Sequence, residues 1–219
     1  MDSKLLSKIN VLATRAPFAN LTHELMRFGE ALSQLTWEES YRINPISFSQ
    51  RFSLPLSFSI EAFIHGTDLG LFEIAWNQIC PGCGGVEYSV PRIEDIHPGG
   101  VHCTICNLDV QSHLDEQIEV SFRLINPTRR ASVDLNKDPE TFRKLYFSPN
   151  YERSAELNQY SKERLVQLVI LNPKESTTLE FTTTPGANLY RALSVKNHTQ
   201  ALLKVIPSKG KNEIHLNLE

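Results

Sequence analysis

Cys80-Pro81-Gly82-Cys83-Gly84-Gly85 and, beyond the nineteen residues 84–102, Cys103-Thr104-Ile105-Cys106 hold every cysteine of the chain. A C-x-x-C turn places two sulfurs on one side of a point in space. Two such turns supply the four soft donors of a tetrahedral thiolate site. The surrounding residues suit the job. Gly82 and Gly84-Gly85 let the backbone fold its amides toward the first pair of sulfurs, and Asn107 accepts a positive φ more easily than most residues beside the second. Pro91, Pro98, Gly99 and Gly100 punctuate the spacer as a loop. The expected ligands are therefore Cys80, Cys83, Cys103 and Cys106, and the expected ion is Zn²⁺ in a zinc ribbon. Spacing alone leaves an iron–sulfur or other thiolate-bound metal open. Two disulfides would suit a secreted chain, but residues 1–20 carry no signal-peptide pattern. A thioredoxin-type redox pair would show one C-x-x-C beside a βαβ pattern, not two matched pairs. Four thiolates close the shell, so His97, His102 and His113 are read as surface or supporting residues. A closed shell also points to a structural rather than a catalytic ion.

Working outward, residues 1–76 read as a helical and winged-helix-like part. Leu21, Leu25, Phe28, Leu32 and Leu35 recur at spacings of three and four, with Thr22 as the expected N-cap. The first twenty residues show no comparable commitment. Pro45 opens a short helix over 45–52, Ser53-Leu54-Pro55 turns the chain, and a second helix runs from about Ser57 to Leu69 with Ile60, Phe63 and Ile64 on its apolar side. Phe72 to Trp76 alternates as a strand. Helix, turn, helix, strand is the order of a winged helix. A DNA-reading second helix would carry Arg or Lys, and this one carries none.

Residues 77–115 are the ribbon, and 116–219 read as a mainly β domain. Ile118, Val120 and Phe122 alternate with Glu119, Ser121 and Arg123. Residues 132–160 are polar and read as an irregular loop with a short helix near Pro139–Leu145. Strands are expected over 165–171, 178–182, 189–193, 201–206 and 213–218, the last two joined hairpin-fashion through Ser208–Lys211. Short strands at such spacing favour an antiparallel β-sandwich. The fold class expected is thus α+β in several parts: a helical, winged-helix-like start, a four-cysteine zinc ribbon, and a C-terminal sandwich.

A net charge of −3 over 219 residues and a pI near 6.2 advertise no broad basic surface for nucleic acid. No run is long and apolar enough for a membrane span, and metal-spaced cysteines point to the cytoplasm. There is no phosphate-cradling glycine loop, no G-x-S-x-G and no H-E-x-x-H. Glu38-Glu39, Glu94-Asp95 and Asp115-Glu116 read as surface or turn residues, and Arg129-Arg130 as a surface pair. No enzymatic activity is expected.

The segment from Arg42 to Arg130 resembles a region found ahead of class III adenylate/guanylate cyclase catalytic domains in bacterial multidomain proteins. The residues that carry the likeness are Ile43-Asn44-Pro45, the run Gly70 to Trp76, and the two knuckles with Gly84 and with Val101-His102. Asp115 to Arg123 completes it, as an acidic turn and a strand. The resemblance implies a regulatory region and a protein partner, either a fused cyclase catalytic domain or a separate chain. The two metal-binding aspartates and the purine-selecting pair of such a catalytic domain have no counterpart in these 219 residues, so cyclase activity itself is not implied. Two other classes stand beside this reading: a transcription-type nucleic-acid-binding protein, disfavoured by the missing basic charge, and a small-molecule sensor acting through the β domain.

Overall fold

The structure is a computed structural model. It describes residues 3–96, 99–103, 105–106, 108–111, 117–125, 139–166, 169, 176–181, 189–194, 199–204 and 212–217. Two compact units are present, Met1–Ser132 with Lys144–Glu152, and Val133–Arg143 with Arg153–Glu219. The chain is mixed helix and sheet with small antiparallel sheets.

Five helices open the first unit: α1 (Ser3–Ala13), α2 (Thr22–Gln34), α3 (Trp37–Tyr41), α4 (Pro45–Phe52) and α5 (Leu56–Asp68). The uncommitted start is α1 after all. Leu5, Ile9 and Leu12 lie one above another at spacings of four and three, and all three are buried. Thr22 is the first residue of α2 rather than its cap; the cap is Leu21, which makes no side-chain capping bond. The expected pair α4 and α5 is present, and Asn44 caps α4 by accepting from the amides of Ile46 and Ser47. The buried face of α5 differs from expectation. Phe58, Ser59, Ala62, Phe63 and Gly66 point inward, whereas Ile60 and Ile64 are 38% and 49% exposed. Small residues set that rotation, because Ser59, Ala62 and Gly66 allow close approach. A Cβ on Gly66 would sit 2.6 Å from the Phe72 ring.

Three strands follow in the order β2-β1-β5, all antiparallel: β1 (Phe72–Ile79), β2 (Val86–Val90) and β5 (Ile118–Leu124). Phe72 pairs with Leu124 and Ile74 with Phe122. Residues of this face meet the helices in one core, where Phe28, Phe48, Phe63, Phe72 and Phe122 converge. The pairing joins strands on either side of the expected boundaries at 76/77 and 115/116. Strand β5 was expected in the C-terminal part, but its apolar alternation completes the sheet begun by β1. The cysteine region is an excursion between neighbouring strands, not a separate link.

Helix α3 shows a local device the sequence reading passed over. Thr36 accepts from the Glu39 amide at 3.4 Å, and Glu39 Oε2 accepts from the Thr36 amide at 3.0 Å, a capping box. Burial pushes the Glu39 carboxyl up, but the Thr36 amide, Lys144 and Arg51 outweigh it and hold it below the usual carboxylate range. A depressed folded value means that the contribution is present at neutral pH and is lost as pH falls through that value. Thr36→Ala is expected to cost about 1 kcal/mol, read from the urea midpoint, with Thr36→Ser close to wild type. Equal midpoints for Thr36→Ala and wild type would remove the cap from the account.

Helix α6 (Pro139–Tyr146) lies at the short helix expected near Pro139–Leu145 and runs from residues of the second unit into 144–146 of the first, while α7 (Ala155–Arg164), in the second unit, begins in the span expected to be irregular and ends in one expected to be β. Four strands follow: β6 (Ser176–Phe181), β7 (Leu189–Ser194), β8 (Thr199–Lys204) and β9 (Asn212–Asn217). The expected β8–β9 hairpin is corrected. β7 pairs with β8 from Leu189↔Lys204 to Ser194↔Thr199, and β6 pairs with β9. The short 195–198 connection makes β7–β8 the hairpin, so the outer strands find each other. Of the strand expected over 165–171, Leu165, Val166 and Val169 are described and lie outside any strand; the rest falls outside the described residues, as do Pro185-Gly186 and Arg129-Arg130.

Candidate metal centre

Strand β1 runs directly into the first knuckle. The Cys80 amide donates to the Gly85 carbonyl and the Gly84 amide to the Cys80 carbonyl, both at 2.8 Å, which closes the turn. Gly84 sits at φ +73°, in the left-handed region that a side chain would strain. The Gly85 amide points at Cys83 Sγ at 3.4 Å. The second knuckle closes a hairpin of β3 (Val101–Cys103) and β4 (Leu108–Val110). Its Cys106 amide donates to Cys103 Sγ at 3.2 Å. Amide donors aimed at sulfur favour the thiolate form.

All four expected ligands come together. The sulfurs of Cys80, Cys83, Cys103 and Cys106 lie within 4.8 Å of one another, the first three buried and the fourth half-buried. Cys83 and Cys103 sulfurs are 3.7 Å apart. Four sulfurs held about 2.3 Å from one ion in a tetrahedron would sit about 3.8 Å apart. The donor set therefore fits a thiophilic cation, and four donors fill the shell. Electrostatics agree. Hydrogen bonds from Cys103 and then Cys83 pull Cys80 well below the usual thiol value. Cys103 is pushed far up by its bonds to Cys80 and Cys83 and by burial. Cys83 is pulled down by Cys103, but the bond to Cys80 and burial leave it raised. Cys80 is thus favoured as thiolate and Cys83 and Cys103 as thiols, a conflict between neighbouring sulfurs that a divalent ion would remove.

Two residues beside the cluster were not foreseen. Glu87, buried on β2, lies with Oε1 3.1 Å from Cys103 Sγ, outside the set of mutually close ligand atoms. The Tyr146 hydroxyl donates to both Glu87 oxygens at 3.1 and 3.2 Å. A carboxylate at an inward position of Val86-Glu87-Tyr88-Ser89-Val90 was the available signal. His102 is exposed, its Nδ1 2.9 Å from Asp109 Oδ1, and it takes no place among the ligands. His97, Asn107 and His113 lie outside the described residues.

Fold and site together define a protein of mixed helix and antiparallel sheet, with four clustered cysteines that could hold a metal ion beyond the end of the central strand β1. The chain belongs to a family of unknown function, DUF5939, whose family model matches residues 10–216. No curated protein and no solved structure matches the chain. Among the described residues, no helix is long and apolar enough to cross a membrane.

Proposed function

We infer that this chain is a non-catalytic regulatory and protein-interaction module whose four cysteines hold a structural Zn²⁺. The observation that carries the reading is the closed set of four sulfurs within 4.8 Å of one another, buried at the end of β1. All-thiolate tetrahedral sites favour zinc, and a filled shell leaves no position for a substrate. The ion would fix the excursion between β1 and β5, so that the ribbon keeps one orientation on the helical core. The order α4, α5, β1 supports a winged-helix-like packing module. The antiparallel pairs β6–β9 and β7–β8 support a small sandwich-like unit. The association with a nucleotide cyclase, fused or separate, is supported by the resemblance of Arg42–Arg130.

Metal analysis of the purified chain tests the first half. About one zinc per chain is expected, with a melting temperature that falls when a chelator strips it and recovers on adding zinc back. A metal-free chain with the same melting curve in chelator would sink the structural-zinc reading. The second half is tested by measuring cyclic nucleotide production from a class III cyclase catalytic domain joined to this chain, against the domain alone. Equal output with and without the chain would remove the cyclase association.

A further inference from the structure

Residues 144–151 return to the first knuckle and fasten to it. The Tyr146 hydroxyl reaches Glu87, which lies on Cys103. Phe147 bridges Gly85 in antiparallel fashion. The Ser148 amide donates to the Gly84 carbonyl at 2.8 Å. The Tyr151 hydroxyl donates to the Pro81 carbonyl at 2.7 Å. Its ring fills the space above Gly84, where an added Cβ would lie 2.4 Å from Tyr151 Cγ. The same stretch is held from behind by groups remote from the sulfurs. Lys144 Nζ lies 3.5 Å from Glu38 and from Glu39. Arg42 Nη2 donates to the Leu145 carbonyl at 3.3 Å. Ser148 Oγ and Asn150 Nδ2 both donate to Glu119 Oε2, at 2.5 and 2.9 Å.

The two sets of contacts differ in what they require. The rear contacts use side chains of helices and of β5, which the aromatic core holds. The front contacts use the Glu87 carboxylate beside Cys103 and the backbone of 81–85, displayed in this way while the knuckle is closed. Closure holds Gly84 in its left-handed conformation and crowds four sulfurs, a conflict that a cation would relieve. We propose that residues 146–151 form a metal-dependent latch, docked on the first knuckle when the cluster is loaded and released from it when the cluster is stripped. This rests on the reading of the four cysteines as a metal site. The latch is entered from Arg143 and left at Arg153, both residues of the second unit.

Hydrogen–deuterium exchange of the full chain tests the latch, with zinc counted in each sample. Zinc-loaded protein is compared with protein stripped by a chelator. Peptides over 144–152 are expected to exchange about tenfold faster or more after stripping, while peptides of α2 and α5 keep their protection. Tyr151→Ala, which leaves the knuckle itself untouched, should retain zinc yet show the fast exchange over 144–152 when loaded, because both the ring over Gly84 and the bond to Pro81 are gone. Should that variant fold poorly, Tyr151→Phe removes the hydroxyl that donates to Pro81 and should shift exchange the same way by a smaller factor, zinc retained. If zinc binds and leaves with exchange over 144–152 unchanged, the latch is overturned while the metal reading stands. If wild-type chain takes up no zinc, the zinc count alone overturns the metal reading, and the latch with it.

Discussion

Cys103→Ser is expected to abolish stoichiometric zinc and to lower the melting temperature by about 10 °C. Cys103 is fully buried at the end of β3, with Cys83 Sγ 3.7 Å away and Glu87 against its sulfur. A hydroxyl there is a harder, far less acidic donor, so the ion loses a fourth of its shell. The three remaining sulfurs then crowd one another without a cation. Loss of a structural metal belongs among the rare substitutions that cost about 4 kcal/mol or more. For a chain of this size each kcal/mol moves the melting temperature by about 2–4 °C. Differential scanning fluorimetry with metal counting would show it. A variant that melts with wild type and still carries zinc would mean that the second knuckle does not hold the ion.

Phe63→Ala carries the second large effect and acts elsewhere. Phe63 is fully buried on α5. Its ring centroid lies 5.1 Å from that of Phe28, 5.2 Å from Phe48, 4.9 Å from Phe72 and 4.8 Å from Phe122. It joins rings of α2 and α4 to rings of β1 and β5, beside the direct Phe28–Phe72 contact. Truncation removes that contact and leaves a cavity that four rings cannot easily collapse, so a loss of about 3–5 kcal/mol is expected in urea unfolding. Phe63→Leu keeps most of the volume and should cost clearly less. The two predictions separate the site from the core: Phe63→Ala should unfold more readily yet bind zinc when folded, whereas Cys103→Ser should fail to bind it. A loss below about 1 kcal/mol for Phe63→Ala would displace Phe63 from the centre of the core.

The cysteine cluster was legible because ligand spacing is written into the chain locally. Two C-x-x-C turns specify their own geometry, and the four sulfurs met as expected. Helices α4 and α5 and strand β1 were legible through Asn44-Pro45 and through the alternation after Leu71. The face of α5 was not, since Ser59, Ala62 and Gly66 carry burial through smallness rather than through apolarity. Helix α1 was readable in Leu5, Ile9 and Leu12, but Leu6 and Val11, apolar and exposed on other faces, blurred the stripe. Helix α7, Ala155–Arg164, offers no apolar stripe, so periodicity had nothing to register. Glu87 and Tyr146 were out of reach for another reason. Their meaning lies in a contact between distant parts of the chain, and neither residue announces it alone.

The register of β1 against β5 also bears on the order in which the molecule comes together. Gln78 is paired with Ile118, so both ends of the stretch that carries the cysteines are pinned by backbone bonds at the sheet edge. Most of the entropy lost in closing that loop is charged to sheet formation rather than to the ion. The cluster then behaves as a partly preassembled chelator on a finished core. If the ion is zinc, as proposed, its uptake by the folded chain should be fast, first order in zinc, and indifferent to denaturant well below the unfolding midpoint.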